Sequence, residues 1–238
     1  MKLDILAIGA HPDDVELSCA ATLVKEVANG KKVGVLDLTR GELGTRGSAE
    51  LRDEEAAEAA KIMGLSVREN LGLADGFFSN DRETQIRIIE MLRKYQPEIV
   101  LCNAIRDRHI DHGRGSTLVS HACFLSGLLK IETQMDGKSQ EKWRPKHVYH
   151  YIQWENITPD FVVDVTGFMD KKKEAVLAYK SQFFDEKNQE GNTPISSINF
   201  KESVDYRARD LGRLIGTEYG EGFTAERFPA VNSIFDLI

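Results

Sequence analysis

The stretch ILAIGAHPDD, residues 5–14, sets the architecture of this chain. Its apolar part, residues 5–10, is typical of a β-strand, and the apolar spacing over 15–30 predicts a helix. His11-Pro12-Asp13-Asp14 therefore occupies a tight turn between a strand and a helix. Open α/β sheets form their sites outside the carboxyl ends of the strands, so this turn is a candidate functional site.

Strand-like and helix-like segments alternate along the chain. Strands are predicted at 3–9, 32–39, 67–71, 98–103, 147–153 and 161–165. Further helices are predicted at 49–63, 80–95, 115–131, 167–179 and 200–215. The stretches 132–146 and 181–199 are polar and irregular, and the tail 219–238 is mixed. This order predicts a single α/β domain over residues 1–238, with a Rossmann-like, mostly parallel sheet and helices on both faces.

A second polar cluster, His109-Ile110-Asp111-His112, follows the strand predicted at 98–103. We expect the two clusters to meet, because the carboxyl ends of parallel strands lie at one edge of a sheet. A catalytic zinc usually has three ligands from His and Asp or Glu, and it keeps a position open for water. The residue types therefore predict one metal ion held by His11, Asp14 and His112.

The remaining polar residues of the two clusters have natural roles around such an ion. Asp13 lies beside the ligands and is a candidate base that takes a proton from water. His109, as a cation, is a candidate for stabilising a developing oxyanion, and Asp111 is a candidate for orienting an imidazole. The alternative is structural: Asp13 or Asp14 caps the first helix, and the histidines lie on a surface loop.

Composition excludes several other classes of function. The 238-residue chain has a formal net charge of −7 and a pI near 5.5, so neither nucleic acid nor a membrane is expected as a partner. No apolar run approaches the roughly 18 residues of a membrane span, and no secretory pattern is present. The three cysteines are widely spaced, which is typical of free thiols in a reducing compartment. We expect a cytoplasmic protein.

At the two clusters the sequence resembles the LmbE-like (PIG-L) N-acetylglucosamine deacetylases. Residues 10–14 match the family's Ala-His-Pro-Asp-Asp turn, and residues 109–112 match its His-Pro-Asp-His motif with Ile110 in place of proline. That replacement affects the geometry of the loop more than its chemistry. Weaker similarity to the family extends over residues 39–52 and 179–182. The stretch 38–42 and the pair Arg108-His109 are most similar to the deacetylases of bacillithiol biosynthesis.

The resemblance implies a zinc-dependent hydrolase that removes the acetyl group from an N-acetylglucosamine glycoside, most closely N-acetylglucosaminyl-malate. It assigns zinc to His11, Asp14 and His112, the base to Asp13 and oxyanion stabilisation to His109, in agreement with the residue chemistry. One zinc per chain is expected, with iron(II) as the alternative ion in cells. The resemblance also implies a homo-oligomer, since enzymes of this type are often hexamers.

A malate glycoside is a dianion and requires local cations on an acidic protein. Arg46, Arg52 and Arg108 are the candidates, because arginine pairs with carboxylates through two parallel hydrogen bonds. Glu42 is a candidate for binding sugar hydroxyls. For each of these four residues, a solvated or structural charge is the alternative. An inositol glycoside and an N-acetyl-chitooligosaccharide remain alternative substrates.

Other functions fit the sequence less well. Asp37 ends a strand where a dinucleotide-binding fold places its ribose acid, but the first turn lacks the G-x-G-x-x-G fingerprint. A two-metal phosphoesterase would need more bridging carboxylates than these clusters supply. A binding protein that has lost catalysis is disfavoured by the presence of all five chemical groups in the two clusters.

Overall fold

The computed structural model describes residues 1–183 and 193–237, and a seven-stranded sheet forms its centre. The strands are β1 (Ile5–Gly9), β2 (Val33–Thr39), β3 (Val67–Leu73), β4 (Ile99–Cys102), β5 (Gln134–Met135), β6 (Lys138–Ser139), β7 (His147–Tyr151), β8 (Phe161–Asp164) and β9 (Gly220–Ala225). The sheet order is β3-β2-β1-β4-β7-β9-β8, and β5 pairs only with β6. The first five strands in this order run parallel to one another, whereas β9 is antiparallel to both of its neighbours, β7 and β8. The predicted mostly parallel α/β sheet is confirmed.

Helices cover both faces of this sheet. They are α1 (Asp14–Ala28), α2 (Ala49–Met63), α3 (Arg82–Tyr95), α4 (Ile110–Ser126), α5 (Met169–Leu177) and α6 (Ile198–Ile215). Alternate residues of β1 enter different cores: Leu6 and Ile8 pack in the core with α3 and α4, whereas Ile5 and Ala7 pack in the core with α1 and α2. Because both faces are covered, the central strand is apolar at every position.

The predicted start of α4 near residue 115 is wrong, since the helix begins at Ile110 and ends at Ser126. Glycines at 113 and 115 are poor helix formers, but the helix includes them, and His109 caps it by accepting a hydrogen bond from the Asp111 amide. Gly115 has a packing role, because a Cβ there would lie 3.3 Å from Asn103 Oδ1. The second cluster therefore lies on the first turn of a helix rather than in a loop, which fixes the spacing of His109 and His112.

The mixed tail contains a strand that the sequence pattern did not predict. β9 inserts between β7 and β8 and carries two glycines. A Cβ at Gly220 would lie only 2.6 Å from Val162 Cγ1, so the close approach of β8 requires glycine. The short β5–β6 hairpin lies in the stretch predicted as irregular. Of the second irregular stretch, residues 184–192 lie outside the described residues. No helix in the described part of the chain is long and apolar enough to span a bilayer.

Candidate active site

The turn between β1 and α1 has an unusual backbone. Asp13 occupies the N-cap position of α1 with φ of 110° and ψ of −23°, a conformation that costs a non-glycine residue roughly 1–3 kcal/mol. Its side chain makes no capping hydrogen bond, so the capping alternative is wrong for Asp13. The Asp14 carboxylate turns back instead and accepts a hydrogen bond from the His11 amide at 2.9 Å. The Asp14 carboxylate is thereby held within the turn.

Asp14 lies between the two histidines that the sequence paired with it. Asp14 Oδ2 is 3.6 Å from His11 Nδ1, and Asp14 Oδ1 is 3.0 Å from His112 Nε2. Donor atoms that share a tetrahedral zinc at ~2.0–2.1 Å are about 3.3 Å apart. The nitrogen atoms of His11, His109 and His112 also come within 4.8 Å of one another. The predicted ligand set therefore has the spacing of a metal site.

Each of the two candidate ligand imidazoles is held from behind by a carboxylate. His11 Nε2 lies 2.9 Å from Asp75 Oδ1, and His112 Nδ1 lies 2.7 Å from Asp107 Oδ2. Such bonds fix the tautomer and leave the opposite nitrogen free for a metal. Asp75 and Asp107 were not predicted from the sequence. Their position in the loops that follow β3 and β4, at the same edge of the sheet as the two clusters, was the available signal.

Asp111, the candidate for orienting an imidazole, lies beside His11. It is fully buried, and its Oδ2 lies 3.4 Å from His11 Nε2. The same carboxylate accepts hydrogen bonds from the Gly76 amide at 2.8 Å and from Arg114 Nη1 at 2.7 Å. His11, Asp75 and Asp111 form a second group whose ligand atoms lie within 4.8 Å. Because Asp75 and Asp111 already accept protein N–H groups, this group suits a supporting shell around His11.

The charges of the cluster favour a bound cation. Burial alone would lower the pKa of His112, but Asp14 and Asp107 raise that pKa to about 9. Burial opposes protonation of His11 as well, and hydrogen bonds to Asp111, Asp14 and Asp75 raise its pKa well above the usual value. The negative charge of these carboxylates stabilises positive charge between them, and a divalent ion can supply that charge in place of protons. The donor set therefore fits a metal.

Asp13 is the carboxylate that the cluster leaves uncommitted. Burial raises its pKa to about 7, although the nearby Arg52 guanidinium acts in the opposite direction. Among the described residues, no group donates a hydrogen bond to its Oδ2 atom, which lies 3.7 Å from Arg52 Nη2. A carboxylate with a pKa near neutrality and an unpaired oxygen is suited to take up a proton.

His109 lies against both candidate ligand histidines, with ring centroids 4.7 Å from His11 and 5.1 Å from His112. Its Nδ1 accepts a hydrogen bond from the Asp111 amide at 3.3 Å, so the proton of the neutral ring is on Nε2. Burial, together with positive charge on the other two histidines, lowers its pKa. The structure therefore favours a neutral N–H donor at His109 where the sequence analysis expected a cation.

The four candidate substrate residues lie in different surroundings. Arg52 is buried and donates to the Pro12 carbonyl at 3.3 Å and to Gln182 Oε1, so it supports the catalytic turn. Arg46 is also buried and donates to the carbonyls of Gln182 and Phe183, and it is not part of the cavity wall. Glu42 accepts a hydrogen bond from the Asp75 amide. The side chain of Arg108, in contrast, is exposed beside the cluster.

A cavity of about 610 Å³ opens above the cluster. Its wall includes the cluster and parts of α1, α6 and the loops that follow β2, β3, β4 and β7, among them His11, Asp13, Asp14, Arg52, Asp75, Asp107, Arg108, His109, His112, Trp154 and Arg207. The cavity is large enough for a disaccharide-sized ligand, since small-molecule sites typically measure ~300–1,000 Å³. Asp37 lies outside this wall and is buried in an ion pair with Arg68 at 2.8 Å, so it is not available to bind a nucleotide ribose.

Comparison with known proteins gives this geometry a context. Residues 6–123 match the family described as PIG-L, GlcNAc-PI de-N-acetylase. A conserved protein of Thermus thermophilus, known from its crystal structure, has a TM-score of 0.87 and is 34% identical, with 98% of each chain covered. The chain belongs to the PIG-L family. The matched range contains all the residues of both clusters, together with Asp75 and Asp107.

Curated relatives of this PIG-L family member are mostly named as deacetylases. The deacetylase YaiS of Escherichia coli K12 is 37% identical over 45% of this chain, an alignment that spans about three-fifths (61%) of that relative. Diacetylchitobiose deacetylase of Thermococcus kodakarensis is 28% identical over 75% of this chain and 70% of the relative. A 4-oxalmesaconate hydratase of Pseudomonas putida is 27% identical over 74% of this chain and 73% of the relative. Two of these three relatives are thus named as deacetylases and the third as a hydratase.

Proposed function

We propose that this PIG-L family member is a metal-dependent hydrolase that removes the acetyl group from an N-acetylglucosamine glycoside. The observation that carries the proposal is the arrangement of Asp14 between His11 and His112, with the unpaired oxygen of Asp13 beside it. His11, Asp14 and His112 would hold one zinc, and iron(II) is the alternative ion because these ligands discriminate poorly among divalent metals. When bound, the ion would act as a Lewis acid toward the water and the acetyl carbonyl.

The chain's own residues would move the proton and hold the developing charge. Asp13 takes a proton from water as the oxygen attacks the acetyl carbon. The Nε2–H of His109 donates a hydrogen bond to the oxygen that becomes negatively charged. Asp13 then returns its proton to the departing amine, and the C–N bond breaks to give acetate and the free glucosamine. Arg52 stabilises the ionised form of Asp13 and holds the turn through the Pro12 carbonyl.

We propose N-acetylglucosaminyl-malate as the substrate, as the resemblance to bacillithiol-type deacetylases implies. An inositol glycoside and a neutral chitooligosaccharide are the alternatives, and the diacetylchitobiose relative supports the second of them. The test is amine release from all three substrates by the purified, metal-loaded protein. Preference for the malate glycoside supports the proposal, whereas turnover of none of them contradicts deacetylation. Because one relative is a hydratase, hydration of 4-oxalmesaconate is measured in parallel.

We also propose that the protein works in the cytoplasm as a homo-oligomer, with a hexamer as the assembly implied by the resemblance. Light scattering of the purified protein measures the mass of the particle. A monomer mass of 26.7 kDa at micromolar concentration would contradict this assembly.

A further inference from the structure

Arg207 is an arginine of the cavity that the sequence analysis did not single out. It lies on α6 between Ser203 and Leu211, and all three residues line the same cavity as the histidine cluster. Their spacing of four places them on one face of the helix. Arg207 is half-buried on that face, so its guanidinium belongs to the wall of the candidate active site.

The charge of Arg207 has no direct partner in the described part of the chain. Its side chain makes no hydrogen bond or ion pair with any other residue in the described ranges, 1–183 and 193–237. Arg209 and Arg213 on the same helix are instead paired with Asp205 and Asp210, each at N–O distances below 3 Å. Burial lowers the pKa of Arg207, with only partial compensation from Asp107. A cation held without a partner in a cavity is expected to bind an anion there.

Asp107, the carboxylate whose charge acts on Arg207, is engaged by other groups. It accepts hydrogen bonds from His112 Nδ1 at 2.7 Å and from the Arg108 amide at 2.7 Å. The amides of Trp154 and Glu155 bind the same carboxylate, each at 3.2 Å. These four bonds use the acceptor capacity of both oxygens. Asp107 thus orients a candidate metal ligand and leaves Arg207 available to a ligand in the cavity.

A second guanidinium faces the same cavity. Arg108 stacks over the indole of Trp154, with its Cζ atom 4.7 Å from the ring centroid. Its side chain forms no ion pair within the described part of the chain. Stacking restricts the plane of the guanidinium while leaving its N–H groups free. Arg207 and Arg108 therefore contribute two available cations to a cavity that also contains the candidate catalytic cluster.

We propose that Arg207, together with Arg108, forms a subsite that binds a carboxylate on the aglycone of the substrate. A guanidinium matches a carboxylate through two parallel hydrogen bonds, and a neutral aglycone would leave the half-buried guanidinium of Arg207 without an anion. This inference rests on the proposed function and adds to it the residue of α6 that selects acidic over neutral glycosides. Arg46 and Arg52 are committed to backbone carbonyls and to the catalytic turn, so they are not the primary contacts.

The test compares Arg207→Gln with the wild type on N-acetylglucosaminyl-malate and on N,N′-diacetylchitobiose. Loss of a charge-assisted contact is expected to lower kcat/KM on the malate glycoside about 10- to 100-fold, mainly through KM, and at least tenfold more than on the neutral substrate. Arg207→Lys retains the positive charge but lacks the planar guanidinium that forms two parallel hydrogen bonds. Its kcat/KM on the malate glycoside is expected to lie between the values of the wild type and Arg207→Gln. Arg213→Gln is the matched control on the solvent face of α6 and is expected to leave the substrate ratio unchanged.

A binding measurement separates this inference from the proposed function. Calorimetry with the metal-loaded protein compares the products glucosaminyl-malate and methyl glucosaminide, so no turnover is required. Selective loss of glucosaminyl-malate binding in Arg207→Gln supports the subsite even where deacetylation fails. The proposal is overturned if Arg207→Gln loses affinity for both glycosides equally. It is also overturned if the variant has a native circular dichroism spectrum and binds both glycosides as tightly as the wild type. If Arg207→Gln loses affinity for a phosphorylated glycoside but not for the malate glycoside, the assignment of a carboxylate ligand is overturned.

Discussion

Asp13 is buried, has a left-handed backbone conformation and carries an oxygen with no hydrogen-bond partner among the described residues. The sequence indicates a proton-transfer role for Asp13, because two carboxylates and an imidazole on one strand-to-helix turn are suited to metal-dependent hydrolysis. It did not predict the strain or the unpaired oxygen. The surroundings of Asp13 include Arg52 from α2, which donates to the Pro12 carbonyl, and a local sequence pattern does not contain such contacts between distant segments.

Asp13→Asn is the direct test of the proton-transfer role. Asparagine tolerates the left-handed conformation and preserves the shape of the turn, but it cannot take up the proton. We expect kcat to fall by about 10²- to 10⁴-fold while the metal content stays at the wild-type value. Steady-state kinetics and metal analysis of the same preparation measure both quantities. Turnover within tenfold of the wild type would show that another group moves the proton.

At the level of the element, the start of α4 decides where the second cluster lies. The sequence placed His109 to His112 in a loop, since glycines at 113 and 115 are poor helix formers. Tertiary packing overrides that preference: Gly115 lies against Asn103, whose side chain donates to Asp14 at 3.0 Å. β9 was not predicted for a related reason. Its glycines are poor strand formers, and they are needed because segments distant in sequence pack closely against this strand.

Two alanine substitutions in α4 test this packing. At Gly113 the nearest atom to an added Cβ is 3.6 Å away, so Gly113→Ala is expected to be neutral or to gain up to about 1 kcal/mol of helix stability. At Gly115 the added Cβ would press on Asn103 and through it on Asp14. We expect Gly115→Ala to be less stable than Gly113→Ala by at least about 1 kcal/mol and to bind metal more weakly. Urea unfolding and metal titration compare the pair, and equal stability with equal metal affinity would refute the packing role.

At the scale of the whole molecule, the residues of the site come from loops at one edge of the sheet, where the parallel strands end. His11 follows β1, Asp75 follows β3, and Asp107 and His112 follow β4, so segments more than 90 residues apart meet in one cavity. The alternation of strands and helices predicted this edge and the meeting of the two clusters. It did not predict the contribution of α6, because helix amphipathicity does not indicate which face of a late helix covers an early loop. Arg207 is therefore visible only in the folded chain.

The most direct test of the central claim is amine release from N-acetylglucosaminyl-malate before and after metal removal, with the metal counted in each sample. One divalent ion per chain is expected in the active protein. Dialysis against a chelator is expected to abolish amine release, and one equivalent of zinc or iron(II) is expected to restore it, because His11, Asp14 and His112 form a single site. Full amine release by metal-free protein would contradict the claim, as would a requirement for two ions per chain.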